Sequence, residues 1–229
     1  MRFPALVKQR QILLPTLWGL LTLLLVTTLT ASLIIRQAGH FLAQQAPING
    51  QILVVEGWLS EPALLLAATQ FREGNYSLLL TTGGPNTREL KPTYPNFADK
   101  AAAFLINQGL EPSQIISLPT PASAQNRTYL SAVIVRDWLA SNHPAISTLD
   151  LFSSDVHARR SFKLYQMAFF DDVQLGVYAA QPSRFSLAQW WKTSDGAKSV
   201  ITEIIGLSWV YCCFSPGEKN SRQERWGIY

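Results

Sequence analysis

The sequence predicts an α/β fold: a three-layer, Rossmann-like domain with a mostly parallel five-stranded sheet, preceded by one N-terminal transmembrane helix. Three observations lead there. Residues 13–35 form an apolar run of 23 residues without a charged side chain, long enough at about 1.5 Å per residue to cross a hydrocarbon core about 30 Å thick. Beyond it, short apolar runs alternate with stretches of helical apolar spacing, the pattern of strand–helix crossovers. The first of those runs is continuously apolar, as in a parallel strand buried on both faces.

Arg2, Lys8 and Arg10 precede the span and Arg36 follows it. Cationic flanks stay cytoplasmic, so residues 1–12 are expected inside and everything past the span outside. A cleaved signal sequence and a buried core helix are the alternatives. Signal h-regions run about 7–15 residues to a small-residue cleavage site, whereas here Ala31-Ser32 leads on into Leu33-Ile34-Ile35. Pro15 is compatible with the first turn, where its missing N–H is tolerated.

Residues 36–50 are polar, carry Gly and Pro, and read as a linker into a domain over 51–214. Gln51–Val55 is the first strand. Glu61–Glu73 is a helix with Pro62 in its first turn, closed by Gly74-Asn75. Tyr76–Thr82 is the second strand, and Gly83-Gly84-Pro85 opens a loop to Asn96. The helix Phe97–Gln108 ends on Gly109, the residue suited to a left-handed C-terminal cap. Strands at Gln114–Leu118, Thr148–Ser153 and Val173–Tyr178 alternate with helices at Arg127–Ser141 and Val156–Phe170. Gln181–Trp191 is irregular. Asp195–Phe214 reads as a packed last helix, with an interfacial helix the alternative, since Lys198 and Glu203 argue against a second span. Residues 215–229 read as a flexible tail.

The net charge of +4 belongs partly to the membrane flank, and no Lys/Arg tract interleaves with aromatics, so no nucleic-acid partner is expected. The two cysteines, Cys212 and Cys213, are neighbours, a strained pairing, and are expected to fill the apolar face of the terminal helix. With His40, His143 and His157 scattered, no metal site is expected.

In an open parallel sheet, ligands bind at the carboxyl ends of the strands. The polar residues gather there: Glu56-Gly57-Trp58 after strand one, Thr81-Thr82-Gly83-Gly84 after strand two with Asp99 in the next helix, Ser123 and Asn126-Arg127-Thr128 after strand three, and Ser153-Ser154-Asp155 leading to His157, Arg159 and Arg160 after strand four. Glycines admit close backbone approach, and helix N-termini favour anions. Arg127, His157 and Arg160 add a cradle for phosphate or carboxylate, and Glu56 and Asp99 add carboxylates for general-base work or for holding a cation. Each has a plainer reading: Gly83-Gly84 as a turn, Asp99 as a complement to its helix N-terminus, Asp155 as an N-cap, His157 as structural. Arg159 and Arg160 are consecutive, so only one can face the site. Asn75-Tyr76-Ser77 and Asn126-Arg127-Thr128 match the glycosylation pattern and are set aside as chance.

The anchor, a second strand ending in Thr-Gly-Gly, and an Ala-Asp helix followed by Gly-Leu-Glu-Pro resemble the YdcF-like envelope proteins, the SanA/ElyC group. Gln125-Asn126-Arg127-Thr128-Tyr129-Leu130-Ser131-Ala132 resembles that family's S-x-N-T-x-x-N-A segment, and Ser154-Asp155-Val156-His157-Ala158-Arg159-Arg160-Ser161 its T-S-x-Y-H-x-x-R-A segment. The likeness covers about residues 50–214 and departs at Glu56-Gly57-Trp58, at Asp99 where the family usually has Glu, and at Ser131. It implies a site made of Gly83, Gly84, Asp99, Asn126, Thr128, His157 and Arg160. It also implies a bacterial inner-membrane, single-pass protein with a periplasmic domain, working in cell-envelope or peptidoglycan biogenesis. The expected ligand is a phosphorylated or otherwise anionic cell-wall or surface-glycan precursor, bound by Gly57, Gly83, Gly84, Asn126, Arg127, Thr128, Ser154 and Arg160, with Glu56, Asp99 and His157 as acid–base groups. Two alternatives stand beside it: an envelope scaffold that docks a partner through Trp190-Trp191, and a nucleotide or S-adenosylmethionine binder.

Overall fold

The computed structural model describes residues 14–87, 93–122, 126–170, 172–221 and 223–224. The chain divides into two units, Met1–Gln37 and Ala38–Tyr229. The first holds most of helix α1 (Leu17–Leu42), whose apolar residues from Leu17 to Ile35 are exposed throughout. This helix is long and apolar enough to span a membrane. Pro15 lies just before it, not in its first turn.

The second unit is an α/β domain. Strands β1 (Ile52–Glu56), β2 (Leu78–Gly83), β3 (Ile115–Pro119), β4 (Thr148–Ser154) and β5 (Gln174–Ala180) form one sheet, all parallel, in the order β3-β2-β1-β4-β5. Ile52 of β1 pairs with Leu78 on one side and Leu149 on the other, so β1 is central and every residue of it is buried. Its alternating side chains feed two cores. Leu53 and Val55 pack beneath α2 (Glu61–Glu73) and α3 (Phe97–Asn107). Ile52 and Val54 pack beneath α4 (Arg127–Asn142), α5 (Ala158–Phe169) and the end of α6 (Ser194–Cys212).

Local chemistry sets the helix ends. Asn96 accepts the Asp99 N–H at 2.7 Å and caps α3. At its far end Gly109, with φ of +87°, lets the Leu110 N–H return to the Leu105 carbonyl at 3.3 Å and its own N–H to Ile106 at 2.9 Å. That is a Schellman closure, with Leu105 and Leu110 buried together beneath it. Thr193 caps α6 by accepting the Gly196 N–H at 3.1 Å.

The stretch 36–50 is not a free linker. Helix α1 continues through it to Leu42, which is fully buried beside Val156, Trp190 and Val200. Ala46 then pairs antiparallel with Val177 at the outer edge of β5. Ile48 and Gly50 donate their N–H groups to the buried Asp150 at 2.9 and 2.8 Å, and the Tyr76 hydroxyl donates to it at 2.8 Å. Burial, then the hydrogen bonds to Tyr178 and Asp150, push the Tyr76 hydroxyl far up. A buried carboxylate needs such donors, and polar neighbours in the sequence conceal that these amides supply them.

The tail is likewise held as far as Glu224. This carboxylate is buried and accepts from Arg136 at 2.5 and 3.0 Å, from the Asn220 N–H at 2.7 Å and from the Tyr129 hydroxyl at 3.4 Å. Burial raises it, yet Arg136 and the other donors outweigh that and hold it below the ordinary carboxylate range. Residues 225–229 lie outside the described ones.

Two further expectations are corrected. Cys212 and Cys213 are exposed and bonded to each other, because the face of α6 that packs is set by Gly196, Val200, Leu207 and Val210. Trp190 is buried in a cluster with Leu42 and Val200, leaving only Trp191 half-exposed, so the pair does not form an exposed docking patch.

Candidate functional site

β1 and β4 are neighbours, but β1 leads into α2 on one face of the sheet and β4 into α5 on the other. Their carboxyl ends therefore diverge, which creates a crevice at the switch point of the topology. A cavity of about 1040 Å³ opens there. Glu56, Thr82, Gly83 and Gly84 form its sheet end, Asn126, Arg127, Thr128 and Ser131 come from the start of α4, and His157 and Arg160 come from the start of α5. Helix α6 supplies Glu203, Ile205, Gly206, Trp209 and Val210, and Trp58 and Phe97 add aromatic surface.

Glu56 is only 2 % exposed. Its Oε2 accepts from Ser153 Oγ at 2.5 Å and its Oε1 from Ser161 Oγ at 2.9 Å. His157 Nε2 stands 3.9 Å from Oε1, and the imidazole meets the edge of Trp58 with centroids 5.0 Å apart. The other ring nitrogen, Nδ1, is 3.0 Å from Glu203 Oε1. Arg160 binds Glu203 through both Nε (2.7 Å) and Nη2 (3.0 Å), and Nη2 also lies 2.9 Å from His157 Nδ1. Burial raises the Glu203 carboxyl, but hydrogen bonds and charge from His157 and Arg160 overcome it and hold the group at about 2.

Two protonation patterns of His157 follow. With the proton on Nδ1, the ring donates to Glu203 and leaves Nε2 bare toward Glu56, as a base. With the proton on Nε2, Nδ1 accepts from Arg160 and Nε2 faces Glu56 as a hydrogen-bond donor. A ligand hydroxyl or phosphate oxygen reaching this corner meets a carboxylate and an imidazole together.

The start of α4 forms a further part of the lining. Asn126 takes a left-handed backbone (φ of +50°), which Asn tolerates, and its Nδ2 is buried with no hydrogen-bond partner among the described residues. Arg127, the first residue of α4, is exposed at the cavity and forms no ion pair among the described residues. It is thus a cation available to a ligand, whereas the charge of Arg160 is already matched by Glu203. Gly83 packs against the N-terminal turn of α3, where a Cβ would lie 2.8 Å from that of Phe97.

Of the residues picked from sequence, Glu56, Gly83, Gly84, Asn126, Arg127, Thr128, His157 and Arg160 line this one cavity. Three do not. Asp99 turns toward β3, accepting from Ser117 Oγ and Asn96 Nδ2, both at 2.6 Å. Gly57 packs behind the strand, where a Cβ would sit 2.4 Å from the Phe97 carbonyl. Ser154 donates to Asp155 at 2.9 Å, and Asp155 accepts the Val156 N–H at 2.5 Å, so the pair organises the turn before α5. Ser123 lies outside the described residues. Glu203 and the apolar wall of Ile205, Trp209 and Val210 went unread as site residues; the one signal was a carboxylate immediately before the uncharged stretch 204–212.

Neither models of known protein families nor curated proteins match this sequence.

Proposed function

We propose that the protein is a single-pass inner-membrane protein whose extracytoplasmic α/β domain binds a phosphorylated, amphiphilic precursor of the bacterial cell envelope, such as a lipid-linked sugar phosphate. One observation carries the reading: Glu56, Gly83, Asn126, Arg127, His157 and Arg160, brought in from four separate connections, converge on one cavity at the switch point of the sheet. Arg127, which forms no ion pair among the described residues, the unpartnered Asn126 amide and the N-terminus of α4 suit a phosphate. The wall of Trp58, Ile205, Trp209 and Val210 suits an apolar tail. Orientation rests on the cationic flank Arg2, Lys8 and Arg10, and the envelope role on the YdcF-like resemblance of the His157-x-x-Arg160 and Asn126-x-Thr128 segments. Glu56 and His157 extend the reading to processing of the ligand, with Arg127 holding its charge.

The test is to purify the full chain from membranes and identify bound small molecules by mass spectrometry, beside Arg127→Ala. A phosphorus-containing amphiphile enriched on the native protein and depleted on the variant supports the reading. A neutral ligand, no ligand, or equal retention by both proteins refutes it. A periplasmic reporter fused after residue 50 should be active; activity of a cytoplasmic reporter there instead overturns the orientation.

A further inference from the structure

From residue 204 to its end helix α6 carries no charged residue, yet only Leu207 and Val210 of that stretch are buried. Ile201, Ile204, Ser208 and Tyr211 recur at helical spacing along one exposed side, with Ile205 and Trp209 beside them. Ile205 and Tyr211 are each 65 % exposed. The lone carboxylate of this part of the helix, Glu203, is turned away into the cavity. A soluble face would carry charge at such positions, and a contiguous apolar one marks an interaction surface.

Cations stand on aromatic rings along its border. Lys163 Nζ lies 5.5 Å from the centre of the Tyr211 ring, and the Arg159 guanidinium 3.9 Å from that of Phe41, whose carbonyl also accepts from Arg159 Nε. Phe41 itself is 54 % exposed. Aromatic rings paired with basic side chains beside an aliphatic stripe are the composition of a helix lying in a bilayer interface, where the rings sit at headgroup level and the cations meet anionic lipid.

Sequence distance supplies the occupant. Phe41 lies six positions along the chain from Ile35, the end of the apolar run. Even fully extended, that length of chain reaches only about 20 Å. Whatever the pose of the domain, the Phe41–Arg159 corner is tied that close to the end of the span.

We propose that the exposed side of α6, with Tyr211, Lys163, Arg159 and Phe41 at its border, lies against an anionic lipid surface. The inference rests on the reading of α1 as a membrane anchor, and its test separates the two. The full chain is reconstituted in nanodiscs of phosphatidylcholine with and without phosphatidylglycerol, carrying the photo-crosslinker p-benzoylphenylalanine at one position at a time. Position 25 reports the anchor, position 204 the α6 surface, and position 66, an exposed leucine on α2 across the sheet, the background. Lipid adducts are expected at 25 in both membranes. At 204 they should exceed those at 66 several-fold, rise with phosphatidylglycerol, and fall in the double variant Arg159→Glu, Lys163→Glu. Adducts at 25 but no excess at 204, or adducts at 204 to protein instead of lipid, overturn the α6 surface and leave the anchor standing. No lipid adduct at 25 overturns both.

Discussion

Replacing Glu203 by Gln probes the charged corner of the cavity with almost no change of shape. Glu203 holds Arg160 in two hydrogen bonds and His157 in a third, and is 12 % exposed. Its carboxyl is held at about 2 against an ordinary 4.5. At about 1.4 kcal/mol per pH unit, this gap corresponds to about 3 kcal/mol of native stability at neutral pH. The sign follows from the direction. A carboxyl depressed by folding stabilises fully above its unfolded value of 4.5 and loses that contribution as pH falls toward 2. More than about half is gone by pH 3. Urea unfolding of the detergent-solubilised full chain, native beside Glu203→Gln, should show a loss of about 1–3 kcal/mol at pH 7. The gap between the two proteins should narrow steadily from pH 5 to pH 3. A gap that stays constant with pH, or no gap at pH 7, would falsify the assignment of Glu203 as the charge partner of Arg160 and His157.

Three further outcomes are expected. Arg127→Ala should weaken binding of a phosphorylated ligand roughly ten- to a hundredfold, a charge-assisted contact of about 1.5–3 kcal/mol, with melting unchanged because the residue is exposed; calorimetric titration and a thermal melt check both. Gly176→Ala places a Cβ 1.9 Å from Asp150 Oδ1 and 2.7 Å from the Ile48 nitrogen. It should cost about 1–3 kcal/mol or more in denaturant unfolding, even though only a methyl group is added. Glu224→Gln removes one of the two carboxylates paired with Arg136, itself only 5 % exposed, and leaves Asp137 at 2.7 Å; it should cost about 1–3 kcal/mol, whereas Glu218→Gln at the surface should cost almost nothing.

The sheet was legible because continuous apolar strands have few alternatives to burial on both faces, and the C-terminal cap of α3 showed because Gly takes a left-handed backbone that other residues adopt badly. Placement of the site followed from topology, since Glu56, Gly83, Arg127 and His157 each directly follow or end a strand-to-helix connection. What the sequence concealed was side-chain direction over long separations. Asp99 points to Ser117 because the two face each other across α3 and β3, a relation that no local spacing displays. Glu203 reaches His157 from 46 positions away, and Glu224 reaches Arg136 from 88. Polar composition also misled: the Gln, Gly and Asn of 36–50 and 215–224 read as solvent-loving chain, while Leu42, Gly50 and Glu224 among them are buried.

The antiparallel course of Ala46 along β5 fixes the direction in which the chain enters the domain. It comes in from Leu42 beside the carboxyl ends of the strands and leaves toward the start of β1 at Ile52, so the chain enters the domain at the end that bears its cavity. For a ligand that is itself a bilayer component, this changes the arithmetic of affinity. A site held within a short reach of its ligand meets it at an effective concentration on the order of millimolar, and weak intrinsic contacts then suffice for occupancy. A soluble headgroup analogue, deprived of that confinement, would bind far less well than the anchored molecule, and its dissociation constant would measure the contacts alone.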